Sequence, residues 1–129
     1  MTISLPLFVD IPRKTKKDKR VYINLNNYRN IHYIVSNQAK ILFKQQVLPQ
    51  ILWLPKMDKI TIEYILFPKT QRRCDLDNMC CVIHKFFCDA LVEIEKLPDD
   101  NYDHVVGLGF VFGAVDKNNP RVEANINVV

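Results

Sequence analysis

Glycine is scarce, with three in 129 residues. That leaves little material for the glycine-rich loops that cradle phosphates in nucleotide-binding folds. Long apolar runs are missing too. No stretch approaches the ~20 residues of a membrane span, and the first residues lack a signal peptide's basic-then-apolar layout. The expectation is a soluble, cytoplasmic chain with no membrane partner. Cysteine is confined to Cys74, Cys80, Cys81 and Cys88. A disulfide framework would spread its partners along the chain. No C-x-x-C pair occurs, which leaves poor spacing for zinc. Cys80, His84 and Cys88 share a helical face, but the outer pair would stand ~12 Å apart along the axis, too far to hold one ion. Reduced, partly buried thiols are expected. With 48% hydrophobic and 25% charged residues, the composition also excludes disorder.

What is present is unevenly charged. Residues 1–74 carry 14 Lys/Arg against 4 Asp/Glu, and residues 75–129 carry 4 against 10, so balances of +10 and −6 make up the net +4. A basic half suits a polyanion such as DNA. An acidic half with clustered aspartates suits bound cations. Solvated surfaces also reach such asymmetry by chance, so charge alone decides little.

Hydrophobic periodicity predicts one domain over 1–129. Residues 3–7 alternate as a first strand, with Pro6 at an edge or bulge. The run Arg13-Lys14-Thr15-Lys16-Lys17-Asp18-Lys19-Arg20 has no apolar residue and predicts a mobile loop. Residues 21–25 suggest a second extended piece. A helical stripe from about Asn27 through Leu48 predicts a helix ending before Pro49. Residues 60–67 form the clearest strand. A second helix is expected from about Met79 to Glu95, then strands over 104–113 and 121–129. The order predicts an α+β fold, a small mixed sheet with two main helices packed on it.

Between the central strand and the second helix lies Asp75-Leu76-Asp77-Asn78. On an extended segment, Asp75 and Asp77 face the same way. Two such carboxylates repel unless a cation or proton intervenes, and hard oxygen ligands suit Mg²⁺ or Mn²⁺. The same run also suits a plain helix start capped by Asp77 or Asn78. The helix that follows has an apolar stripe of Met79, Val82, Ile83, Phe86, Phe87, Ala90 and Leu91, opposite a face with Asp77, Cys81, Lys85 and Cys88. Asp99-Asp100 follows Pro98, where a polar turn is the simplest account.

Arg72-Arg73-Cys74-Asp75-Leu76-Asp77-Asn78, then Lys85, Asp89-Ala90-Leu91 and Asp99-Asp100, together resemble the RusA family of Holliday junction resolvases over about residues 56–106. The resemblance implies a RusA-like fold and a Mg²⁺-dependent (or Mn²⁺-dependent) endodeoxyribonuclease that cleaves four-way junctions as a homodimer. It implies Asp75, Asp77 and Asp100 as catalytic metal ligands and Lys85 as the catalytic lysine. It also suggests a phage source, and hence the host cytoplasm. Arg13, Lys14, Lys16, Lys17, Lys19, Arg20, Arg72 and Arg73 are the expected DNA contacts, and His104 is a candidate proton-transfer group. One departure stands out. Met79-Cys80-Cys81-Val82 is a four-residue insertion relative to the family pattern, lying in an added helical turn or in a bulge or loop before the helix. A gapless alignment would put Cys81 at the lysine position. Related nucleases of flaps or forks, and a non-catalytic DNA-binding protein, are the alternatives.

Overall fold

A computed structural model describes all residues, Met1–Val129. Central strand β4 (Ile60–Phe67) alternates strictly, with Ile60, Ile62, Tyr64 and Leu66 fully buried. Each such side chain contributes roughly 1.5–3 kcal/mol by leaving water. Strand β1 (Thr2–Leu5) pairs antiparallel with β6 (Arg121–Val128), β6 antiparallel with β4, and β4 parallel with β5 (Val105–Phe112). The sheet order is therefore β1-β6-β4-β5. Parallel β4 and β5 need a crossover, and helix α3 (Leu76–Glu93) supplies it. Helix α2 (Tyr33–Ile51) packs on β1 and on the outlying strand β2 (Phe8–Ile11), while α3 packs on β4 and β5. Lys40 joins Asp89 at 2.6 Å and Lys44 joins Glu93, which ties α2 to α3 along their exposed flank. The α+β class with two main helices on a mixed sheet is as the periodicity predicts. No helix is long and apolar enough to cross a membrane.

Three local expectations need correction. Pro6 ends the first strand at Leu5, because its missing N–H cannot continue the ladder. The chain resumes as β2, which forms a separate hairpin with β3 (Lys19–Tyr22), so the second strand begins earlier than the alternation at 21–25 suggested. The basic run is thus the loop and one margin of a hairpin. The first helical stripe is broken into short α1 (Leu25–Asn30) and α2, separated at Ile31-His32. Helix α2 does not stop before Pro49. Val47 and Ile51, both fully buried, hold the last turn in place across the proline.

Helix α3 ends in a tight turn. Glu95 adopts φ 61°, the Lys96 N–H donates to Leu91 O at 2.9 Å and the Glu95 N–H to Val92 O at 3.0 Å. This is a Schellman arrangement with a non-glycine residue in the left-handed position. Such a residue costs about 1–2 kcal/mol. Glu95→Gly is therefore expected to raise stability by about 1 kcal/mol, less what glycine loses in the unfolded chain, and to raise Tm by roughly 3–5 °C. Thermal denaturation followed by circular dichroism checks it; an unchanged or lower Tm would show that the turn is unstrained.

Candidate active site

The acidic run sits at the start of α3. Asp75 is the N-cap residue, extended at φ −83° and ψ 132°, but its side chain makes no capping bond. Its backbone carbonyl accepts from the Met79 N–H at 3.1 Å. Asp77 lies inside the first turn rather than on an extended segment, where its charge favours the positive end of the helix dipole. Neither Asp77 nor Asn78 is the cap; the run is a helix start, as the alternative had it, with Asp75 in the N-cap position and no side-chain capping bond. Asn78 instead accepts a bond from the Asn26 N–H at 3.0 Å. That fastens the first turn of α1 to α3. Asp75 and Asp77 are exposed, and neither side chain is held in an ion pair or hydrogen bond. Two free carboxylates therefore flank one helix N-terminus.

Asp100 arrives from the other end of the helix. The turn at Glu95 sends the chain back along α3, with the Met57 N–H donating to Lys96 O at 2.8 Å. Asp99 closes a local turn, its carboxylate accepting from the Asp100 N–H at 2.7 Å and from Asn101 Nδ2 at 3.1 Å. This occupies Asp99 and leaves the Asp100 side chain free. Asp100 faces the middle of α3, where its charge and that of Asp89 oppose the downward shift that burial imposes on His84. Asp75 and Asp77 are thus together, whereas Asp100 lies further along. No three His, Cys, Asp or Glu side chains gather into a metal-holding group. The chemistry of the donors still fits Mg²⁺, which keeps several waters and needs only one or two carboxylates when a phosphate supplies further oxygens.

Helix α3 is continuous from Leu76, so Met79-Cys80-Cys81-Val82 lie within the helix and not in a bulge or loop before it. Lys85 is exposed on that helix, two turns beyond Asp77. Helical side chains tilt toward the N-terminus, which brings its stem back over Cys81. The sequence carries no signal for a second cation there. Arg29, in the last turn of α1, is exposed and makes no ion pair. Alpha1 is held against α3 by Asn78 and by the edge-on contact of Tyr28 with Phe86, ring centroids 6.2 Å apart. Burial pushes the Cys81 thiol pKa up, Asp77 adds to that shift, and Arg29 opposes it. The charges of Asp77 and Arg29 thus both act on the Cys81 thiol, in opposite directions.

The expected face of Asp77, Cys81, Lys85 and Cys88 is correct only in part. Cys88 is 1% exposed and belongs to the core. Tyr64 Oη lies 2.6 Å from His84 Nδ1, and Cys88 Sγ lies 3.6 Å from the same nitrogen. Burial raises the Tyr64 pKa and lowers that of His84, so a neutral hydroxyl meets a neutral imidazole. The thiols of Cys80 and Cys88 are pushed up to about 12, chiefly by burial. All four cysteines are free and Cys74 is exposed. Alkylation of the native protein near pH 8 is expected to label Cys74 promptly and to spare Cys80 and Cys88 until the chain unfolds. Prompt labelling of Cys88, read by peptide mass, would contradict the buried Tyr64–His84–Cys88 arrangement.

The remaining candidates divide. Lys14, Lys16 and Lys17 lie in the exposed hairpin loop with Arg13, whose Nε donates to Lys17 O at 2.7 Å. Lys19 and Arg20 belong to β3. Arg20 pairs with Asp10 at 3.0 Å and covers the Phe8 ring at 3.9 Å, so part of its role is to hold the hairpin. Arg72 and Arg73 are exposed in the segment before Asp75 and carry no ion pair. His104 Nδ1 lies 2.7 Å from Asp58 O and 3.3 Å from its carboxylate, a tie at the start of β4 and not at the α3 N-terminus. No family model matches the chain, and no curated protein does either.

Proposed function

We propose that this protein is a Mg²⁺-dependent endodeoxyribonuclease acting on branched DNA, with four-way junctions as its substrate. The observation that carries the proposal is the pair of exposed, unpartnered carboxylates, Asp75 and Asp77, at the α3 N-terminus. Arg29 stands on α1, which docks on α3, Lys85 stands two turns along α3 from Asp77, and Arg72 and Arg73 precede Asp75 in the chain. The resemblance of the surrounding residues to RusA resolvases supports the choice of substrate. Mg²⁺ or Mn²⁺ would be held by Asp75 and Asp77; Asp100, the third ligand that the resemblance implies, stands further along α3 and does not join them in the free protein. When bound, the ion would orient the scissile phosphate and lower the pKa of an attacking water.

The chain's own residues have separate tasks. Lys85 and Arg29 offset the negative charge that grows on the phosphate oxygens in the transition state. Arg72 and Arg73 hold flanking phosphates. Asn78, through Asn26, keeps Arg29 and the basic hairpin in register with α3. A four-way junction has approximate twofold symmetry, so a homodimer would offer two sites to two equivalent strands. Comparing cleavage of a four-way junction, a flap, a fork and a plain duplex tests the substrate. Preference for the flap or fork would keep the nuclease and reject the resolvase.

The hairpin loop has a distinct expected effect. Neutralising Lys14, Lys16, Lys17 and Lys19 together should weaken DNA binding and flatten its salt dependence, without slowing cutting at saturating protein. Each lost phosphate contact removes ~0.9 from the log–log salt slope. An unchanged slope in filter-binding or anisotropy titrations would take the loop out of the DNA contact.

A further inference from the structure

The passage from α1 to α2 carries two aromatic rings that the core does not use. Ile31 and Val35, on either side, pack against the core, whereas His32 and Tyr33 are exposed, Tyr33 to 70%. The two rings are stacked, with centroids 4.6 Å apart and planes 28° from parallel. His32 is the N-cap of α2. Its Nδ1 accepts from the Ile34 N–H at 3.2 Å, and its carbonyl accepts from the Ser36 N–H at 3.0 Å. Tyr33 is the first residue of the helix. A single exposed ring is ordinary on a protein surface. Two stacked rings fixed at a helix cap make a flat surface that loses little freedom when something binds to it.

The surrounding charge selects the flat molecule that fits. From Arg13 to Ile34 the chain holds seven Lys/Arg and one acid, Asp18. Arg29, three residues before His32, is exposed and makes no ion pair. The stretch is also tied together. Asn27 Nδ2 donates to Tyr22 O at 2.9 Å, which joins α1 to the basic hairpin, and Asn78 joins α1 to α3. A base with its phosphate is planar and anionic, so it meets both the rings and the cations. An apolar peptide meets only the rings, and an acidic one only the cations.

We propose that His32 and Tyr33 form a stacking platform for an unstacked nucleobase at the DNA branch point, with the neighbouring cations holding its phosphates. Within a plain duplex both faces of every base are covered by its neighbours. A ring therefore takes a base only where stacking is broken, as at a junction, fork or flap. Phosphate contacts position DNA without making that distinction; the rings make it. The platform rests on the reading of DNA as the partner, but it needs no cleavage. Four residues from Arg29 to Tyr33 span at most ~14 Å of chain, so the captured base lies within a few nucleotides of a phosphate held at Arg29.

The test is binding in chelator, so that nothing is cut, to a four-way junction, a flap and a plain duplex. Tyr33→Ala is expected to weaken binding to the branched DNAs roughly tenfold, the scale of one base–aromatic stack, and to leave duplex affinity and Tm unchanged. Tyr33→Phe, which keeps the ring, is expected to bind as the wild type does. A second readout depends on no variant. The wild-type protein is irradiated with a junction carrying iodouracil at the branch, and the adduct, located by peptide mass, is expected on Tyr33 or His32. The same base inside a plain duplex should give none there. Equal loss on branched and plain DNA, no loss on either, or adducts only elsewhere would each overturn the proposal. Self-association that Tyr33→Ala abolishes with DNA binding unchanged would overturn it as well, because the rings would then cover a second copy. Tyr33-dependent branch binding without nicking in Mg²⁺ would leave the platform standing while the nuclease reading fell; nicking of branched DNA with an affinity indifferent to Tyr33 would do the opposite.

Discussion

Asp77→Asn is expected to abolish cleavage while leaving junction binding intact or tighter. Asparagine keeps the size and shape of the side chain, and at an exposed first-turn position it costs little stability. It removes a charge that would hold the ion and, with it, the transition-state stabilisation a metal contributes. A loss of several kcal/mol corresponds to roughly 10³-fold or more in rate. Binding should persist because the basic groups are untouched, and because one less negative charge faces the phosphate. Single-turnover cleavage beside a binding titration separates the two effects. Since the Asp77 carboxylate makes no hydrogen bond or ion pair, loss of activity with unchanged Tm cannot be assigned to a broken structural contact. Cutting at the wild-type rate would remove Asp77 from the site.

The second large effect concerns Lys85 and Arg29. Lys85→Ala is expected to lower the cleavage rate roughly 10²-fold, the scale of losing one electrostatic stabiliser of a transition state. Stability should hardly change, because Lys85 lies on the exposed side of α3. Arg29→Ala should lower the rate too, while Arg29→Lys should keep part of it and Cys81→Ala should be nearly silent. Lys85 lies on α3 two turns from Asp77 and Arg29 on α1, so the two substitutions have a discriminating outcome. If Lys85→Ala cuts normally and Arg29→Ala does not, the transition-state charge comes from α1, and Lys85 is an ordinary surface residue.

Periodicity made the frame legible. The two-residue alternation of 60–67 and the apolar stripe from Met79 to Leu91 each have one physical solution, and the chain adopts both. What escaped the sequence depends on tertiary contacts. Val47 and Ile51 carry α2 past Pro49 because their burial outweighs a local helix breaker. Asn78 looked like a cap, but its partner is 52 residues away on a helix too short to be read from its own sequence. Arg29 carried no pattern at all, and only the docking of α1 brings its helix against α3. The i, i+4 spacing of His84 and Cys88 was visible, but the Tyr64 hydroxyl that engages His84 comes from β4. Asp75 and Asp77 both lie at the α3 N-terminus, but Asp77 is inside the first turn, so the extended-segment argument for a shared face does not hold. The position of Asp100 depends on the turn at Glu95 and the loop that follows.

The most direct test is incubation of the purified protein with an end-labelled four-way junction, in Mg²⁺ and in chelator. The account predicts nicks near the branch point with Mg²⁺ or Mn²⁺, none in chelator, and none from the Asp75→Asn or Asp77→Asn proteins although both still bind the junction. Junction binding with no nicks under either ion would contradict it and leave a DNA-binding protein whose acidic helix start has no catalytic role.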